Sequence, residues 1–306
     1  MERRQTKRIK SITEFHRSRG LSAPEHPLIS VVDFADIQRP VDIGDFNWVF
    51  DFYQISLKRG MNAKVKYGQQ AYDFDEGIMF FISPNQVFRI EPEPDSMTQR
   101  SGWMLLVHPD FFWQKSLANK IKQYDFFDYS VNEALFLSKK EEETINGIIA
   151  NIRQEYHANI DKFSLPIIVS HIETLLNYSE RFYERQFITR QPIHHKLLHR
   201  LEELLNDYFN SDAAVSKGLP TVQFIAKELN SSPNYLSRLL KTLTGQSTQQ
   251  FIHDKLIDKA KEKLSTTDLS VSEIAYELGF EHPPSFTKLF KNKTKLSPLE
   301  FRQTFN

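Results

Sequence analysis

No cysteine occurs in the 306 residues. Disulfides, thiolate metal sites and a cysteine nucleophile are thereby excluded. No run of 18 apolar residues occurs either, so no membrane-spanning helix is expected. The basic amino terminus (Arg3, Arg4, Lys7, Arg8, Lys10) lacks the apolar segment of a secretory signal. A cytoplasmic protein is the expectation. Net charge is missing too: 39 Lys plus Arg balance 39 Asp plus Glu. Charge over the whole chain therefore gives no pointer to nucleic acid. Histidine is absent between Pro27 and His108, so that stretch cannot supply imidazole metal ligands. The length accommodates about two domains, each with its own core.

What the chain does contain is a sentence said twice. Ile225-Ala226-Lys227-Glu228-Leu229 is followed by Ser232-Pro233-Asn234-Tyr235-Leu236-Ser237-Arg238-Leu239-Leu240-Lys241, then Thr244, Ser247 and Phe251. Ile274-Ala275-Tyr276-Glu277-Leu278 is followed by His282-Pro283-Pro284-Ser285-Phe286-Thr287-Lys288-Leu289-Phe290-Lys291, then Thr294, Ser297 and Phe301. The offset is 49 residues at Ile225/Ile274 and 50 from Ser232/His282 onward. Self-similarity of this kind outranks local propensity in deciding architecture.

Each copy reads as helix, turn, helix. The second helix opens on Pro, whose missing N–H is not needed there, and Ser232 is placed to cap it in the first copy. Leu236, Leu239, Leu240 and Leu243 recur at the spacing of a buried stripe. Asn234, Ser237, Arg238 and Lys241 are left outward. In the second copy Phe286, Leu289 and Phe290 form the stripe, leaving Ser285, Lys288, Lys291 and Asn292 outward. Residues 231–250 and 282–295 carry Arg and Lys and no acid. The DNA major groove admits one helix and presents base edges that Arg and Asn can read, while Lys and Ser anchor phosphates. The bland alternative is two solvated surface helices. The candidate DNA-binding residues are Ser232, Asn234, Ser237, Arg238, Lys241, His282, Ser285, Thr287, Lys288 and Lys291. Arg238 and Asn234 are expected on bases in one half-site, Lys288 and Ser285 in the other, and Lys241 and Lys291 on phosphates.

From His194 to the C-terminus the chain resembles the DNA-binding domain of arabinose-regulator (AraC-type) transcription factors. The specific part is Ile274-Ala-x-Glu-Leu-Gly279-Phe280, then Ser285-Phe286-Thr287-Lys288-Leu289-Phe290-Lys291, then Leu296-Ser297-Pro298-x-Glu300-Phe301-Arg302. Two departures stand out: Lys295, where the family usually places Gly, and the Pro283-Pro284 pair. The resemblance implies double-stranded DNA as partner, with RNA polymerase as a further one, and no cofactor. The lack of cysteine separates the chain from the alkyl-accepting repair proteins that carry the same module.

The first half is patterned as β. Short apolar or alternating runs at Leu28–Phe34, Trp48–Leu57, Asn62–Tyr67, Gln70–Phe74, Ile78–Ile82, Val87–Glu91 and Gly102–His108 are separated by Gly, Pro, Asn and Asp, as in a small sandwich or barrel. Gly77-Ile-Met-Phe-Phe-Ile-Ser-Pro84-Asn-Gln-Val-Phe88 resembles the second half of a cupin signature without its histidines. Phe88 stands where a metal-binding cupin carries His, so a cupin dioxygenase or isomerase is disfavoured and no metal site is expected. The expectation is a cupin-like barrel that holds a small-molecule effector, with Trp48, Tyr53, Tyr67 and Arg89 as candidate lining. Each of the four also fits an ordinary core or rim role. Residues 1–27 read as a polar arm, either partly disordered or touching DNA.

Two longer helices follow within 139–186. Ser138 and Glu141 form a capping box ahead of Ile145, Ile148, Ile149 and Ile152. The second helix carries Ile168, Ile172, Leu175, Leu176, Ser179, Phe182 and Tyr183. One is expected to cover the barrel and the other to pair two copies of the chain, with packing inside one chain as the alternative. The expected organisation is an α+β protein. It has an arm (1–27), a cupin-like effector-binding and dimerising domain (28–186) and a linker (187–193). An all-α DNA-binding domain (194–306) follows, with helix-turn-helix units near 219–245 and 270–295. A long helix over Phe251–Leu264 is expected to join the units and set the reading helices about one DNA turn, ~34 Å, apart. An effector would act by population shift. The rival readings are a regulator whose barrel only dimerises and a small-molecule enzyme.

Overall fold

The computed structural model describes residues 5–38, 46–59, 66–67, 70–71, 77–89, 101–113, 115–129, 133–158, 161–189 and 191–304. The chain forms two compact units, 1–186 and 187–306.

Among the described residues of the first unit the β pattern is realised as three sheets. Strands β2 (Ile29–Asp33), β4 (Tyr53–Arg59), β7 (Ile78–Ile82), β9 (Ser101–Val107) and β10 (Leu135–Phe136) make an antiparallel sheet in the order β10-β7-β4-β9-β2. Strands β1 (Thr6–Ile9), β3 (Asn47–Phe50) and β8 (Val87–Arg89) make a second, with β1 parallel to β3. A short β5–β6 ribbon joins Lys66–Tyr67 to Gln70–Ala71. The expected closed barrel is not formed among the described residues. The single run expected over Trp48–Leu57 breaks at Asp51-Phe52, which sends β3 and β4 into different sheets. Most of the expected Asn62–Tyr67 and Gln70–Phe74 runs lies outside the described residues.

The amino-terminal arm is a correction. Beyond Gln5 it is built into the fold: β1 pairs with β3, and helix α1 (Ile12–Ser18), capped by Ser11, follows directly. Ile9, Ile12 and Phe15 pack with Trp48, Phe50 and Phe52. Lys7 lies over the Phe46 ring and Arg19 over the Trp48 ring, while Arg8 pairs with Asp51. Three apolar side chains outweigh the polar composition that suggested a loose tail, at roughly 1.5–3 kcal/mol of transfer free energy apiece.

Helices α3 (Lys139–Tyr156) and α4 (Ser164–Thr189) close the unit. The Ser138/Glu141 capping box forms as expected. Between β9 and α3 the chain makes one short helical turn, α2 (Leu117–Lys120), followed by 3-10 turns. The α3 helix is tied to the large sheet by Trp103 Nε1 donating to Asn146 (2.8 Å) and by Arg153 gripping both carboxylate oxygens of Asp33 (2.9 and 2.5 Å). The α4 stripe packs inward. Ile172, Leu175, Leu176, Ser179 and Tyr183 are fully buried within the chain, and Tyr183 stacks on Phe126. Gln186 satisfies the edge of β10, accepting from Phe136 N and donating to Ala134 O. The stripe that suggested pairing between two copies is thus spent inside one chain.

In the second unit helix α5 (Gln191–Asn210) begins one residue after α4 ends. Arg190 between them lies outside the described residues, and the expected linker over 187–193 is otherwise helical. Pro192 sits in the first turn of α5, where it costs no hydrogen bond. Then come α6 (Ala213–Lys217), α7 (Val222–Glu228), α8 (Pro233–Thr244), α9 (Thr248–Thr266), α10 (Val271–Glu277), α11 (Pro283–Thr294) and α12 (Pro298–Gln303). One core serves all of them: Leu201, Leu205, Ile225, Leu236, Leu240, Leu256, Ile274, Phe286 and Phe290 belong to a single buried cluster.

Candidate nucleic-acid interface

The duplicated sequence folds into duplicated geometry. Helices α7 and α10 are 7 residues each, and α8 and α11 are 12 each. The turn after α7 passes through Asn230 at φ 54 and the turn after α10 through Gly279 at φ 88. Both use the same closure: Ser231 N donates to Ala226 O (2.8 Å) and Phe280 N to Ala275 O (3.0 Å). A left-handed residue ends each second helix, Gly245 at φ 74 and Lys295 at φ 68. The next helix then starts from a capping box, Ser247/Gln250 in one copy and Ser297/Glu300 in the other. The first helices differ in one respect: Thr221 caps α7 by accepting from Phe224 N, whereas Ser270/Glu273 form a full box on α10.

Helix α8 buries Tyr235, Leu236, Leu239 and Leu240. Ser232 is its N-cap, accepting from Tyr235 N, and is itself buried. Asn234, Ser237 and Arg238 are half-buried and Lys241 is exposed. The Ser237 hydroxyl pairs with the Thr248 hydroxyl at 3.0 Å. Ser232 and Ser237 therefore hold the motif together as well as border its outer face.

Helix α11 buries Phe286 and Phe290 and half-buries Thr287 and Leu289. His282, Ser285, Lys288 and Lys291 are exposed. His282 occupies the N-cap position without a side-chain cap, since Pro283 and Pro284 remove two of the donors a cap would serve. Lys241, Lys288 and Lys291 form no hydrogen bond or ion pair with described residues. Two other lysines of the basic run are committed: Lys293 pairs with Asp254 at 2.6 Å, and Lys295 Nζ donates to Asn292 O. Desolvation and the nearby Lys293 charge both hold the His253 imidazole below its ordinary pKa.

The candidate effector residues do not converge. Trp48 is 3% exposed in the core around Phe15, and Tyr53 is 7% exposed with its ring against Phe112 and Phe127. They sit in different sheets. The side chains of Tyr67 and Arg89 lie outside the described residues.

One constellation was not legible as a motif. His194, 2% exposed, donates from Nδ1 to Phe187 O (2.8 Å), because a carbonyl can only accept. In the neutral ring Nε2 is then an acceptor, and the Tyr235 hydroxyl donates to it at 3.4 Å. The Phe187 ring packs edge-on to Tyr235, centroids 5.1 Å apart. Within the second unit the last turn of α4 is thereby fastened to the first turn of α8. Only the fold brings positions 187, 194 and 235 together, so no local pattern could have shown it.

A helix-turn-helix domain model matches residues 225–304. The HTH-type transcriptional regulator YfiF of Bacillus subtilis is 31% identical over 264 residues, 83% of this chain and 77% of that protein. The regulator YijO of Escherichia coli is 30% identical over 106 residues, and the chain spans only 36% of its length. Among solved structures, the C-terminal domain of AraT, a response regulator from Geobacillus stearothermophilus, is 30% identical. That match covers 35% of this chain and 84% of that one, with a TM-score of 0.31. With its duplicated helix-turn-helix and a relative matched across both units, the chain belongs to the AraC-type family of helix-turn-helix transcription regulators.

Proposed function

We propose that the chain regulates transcription by laying α8 and α11 into successive major-groove segments of one DNA duplex. A small molecule held by its first unit modulates this grip. The observation that carries the reading is the exposed row Ser285, Lys288 and Lys291 on α11, with the half-buried Asn234 and Arg238 and the exposed Lys241 at the corresponding positions of α8. Arg238 and Asn234 suit base edges, and the lysines suit phosphates. RNA polymerase is the further partner that such a regulator engages.

A gel shift on DNA selected from random sequence tests the roles. Arg238→Ala is expected to cost roughly 1–3 kcal/mol and to relax preference at one base position, while Lys291→Ala weakens all sequences alike and lowers the salt dependence. Unchanged DNA retention in both variants would refute the assignment.

A further inference from the structure

The first unit contains a cavity of about 170 Å³ walled by the start of β2, the 3-10 turn after β9, the last turn of α3 and the first turns of α4. Its floor is apolar: Ile29, Phe111 and Ile168 are buried there, and Leu165 stands half-exposed at the side. For scale, an engineered apolar cavity of about 150 Å³ takes up benzene.

Two polar groups on its wall each hold a hydrogen that meets no acceptor among the described residues. The Tyr156 hydroxyl accepts from Glu25 N (2.8 Å) and His26 N (3.3 Å). Its lone pairs are filled, and its own hydrogen meets no acceptor among the described residues. His26 Nδ1 accepts from Leu28 N at 3.1 Å, which puts the ring proton on Nε2, again without an acceptor among the described residues. Burial depresses the His26 pKa, so the ring is neutral near pH 7. Tyr156 is buried and His26 half-buried, and both line the cavity, so an acceptor oxygen on a guest has two donors to meet there. The mouth carries Asp110, Glu155 and Asp161. Asp161 is occupied in capping α4 through Phe163 N and Ser164 N. Three carboxylates at an opening disfavour an anion.

We propose that this cavity binds a small uncharged molecule of about one ring, bearing a ketone, aldehyde or alcohol oxygen that accepts from Tyr156 and His26. Its identification as the effector site rests on the regulator reading above. Ser164, Leu165 and Ile168 are in the first turns of α4, and the last turn of that same helix carries Phe187, fastened to Tyr235 of α8. A guest that fixes the start of α4 therefore acts on an element whose end is held to the first reading helix.

The test is calorimetric titration of the full chain with acetophenone and benzyl alcohol, against benzoate and benzylammonium, each followed by a gel shift on the selected operator. Acetophenone or benzyl alcohol is expected to bind at least about tenfold more tightly than benzoate. Tyr156→Phe should weaken that binding about tenfold, the loss expected for one hydrogen bond. Leu165→Trp, at a half-exposed position that leaves the core untouched, should abolish it while the circular dichroism melt stays as in the parent. Benzoate binding as tightly as acetophenone, or both variants binding like the parent, overturns the site. Binding with this pattern but no change in operator affinity overturns its effector role. If some other compound class shifts operator affinity while these probes do not bind, the regulator reading stands and this cavity is not its sensor.

Discussion

Gly245 and Lys295 occupy the same left-handed turn, 50 residues apart, at φ 74, ψ 0 and φ 68, ψ −2. Each closes its helix, α8 or α11, with a hydrogen bond to the carbonyl four residues back, Lys241 O and Lys291 O. The backbone makes the same demand twice, and only one copy meets it with the residue that has no Cβ to clash.

Lys295→Gly should therefore stabilise the second unit by about 1 kcal/mol, and Gly245→Lys should cost a similar amount. Urea denaturation of the two variants beside the parent measures both. Equal midpoints for all three would contradict the shared conformation.

Gly279 is under a tighter constraint than Gly245. Beyond its positive φ, a Cβ there would come within 2.8 Å of Ala214 O and of the Gly218 carbonyl carbon, whereas Gly245 faces open space. Gly279→Ala is expected to cost about 2–4 kcal/mol, strain plus overpacking. Gly245→Ala should cost only the strain. A thermal melt that ranks them the other way would show that the turn relaxes.

Capping offers a pH-dependent check. The hydrogen bonds from Ser270 and Ser297 hold the Glu273 and Glu300 carboxyls below their ordinary pKa. A carboxylate depressed in the fold stabilises above its unfolded pKa, and that contribution is lost as pH falls through the depressed value. Ser270→Ala should cost about 1 kcal/mol near neutrality, and the gap to the parent should narrow in acid. A gap independent of pH would mean that the carboxylate takes no part.

Histidine works in the same direction but in a higher pH window. Burial, the largest cause in each case, lowers the pKa of His26 and of His253 from 6.5. The unfolded chain then binds more protons, so their contribution is complete above pH 6.5 and erodes as pH falls below it. The melting temperature should drop between pH 7 and 5.5, and His253→Gln should flatten part of that slope. A parent melt that is flat over this range would contradict the burial of both rings.

The second unit was legible because its signals are local. Caps at Ser232 and Ser270, Pro233 at the first position of α8 and the leucine spacing of that helix all act within one turn of helix. The first unit was less so. The expected strand over Trp48–Leu57 has no Gly or Pro to mark its break at Asp51-Phe52, so a sheet switch looked like one continuous strand. Composition hid Ile9, Ile12 and Phe15 among charges, although their i, i+3 spacing from Ile12 to Phe15 points to a buried face. The apolar stripe of α4 is plain in the sequence, but what it packs against is not. Its partners, Phe81, Phe126 and Tyr129, are far off in sequence. Residues 26, 156 and 165 around the cavity share no motif for the same reason.

If one chain reads two neighbouring stretches of a duplex, hydroxyl-radical footprinting of the full chain on its selected operator will show both. Two protected windows about one helical turn apart are expected. Lys288→Ala should lift only one of them and Arg238→Ala only the other. A single protected window, or two that both fade with either substitution, would contradict it.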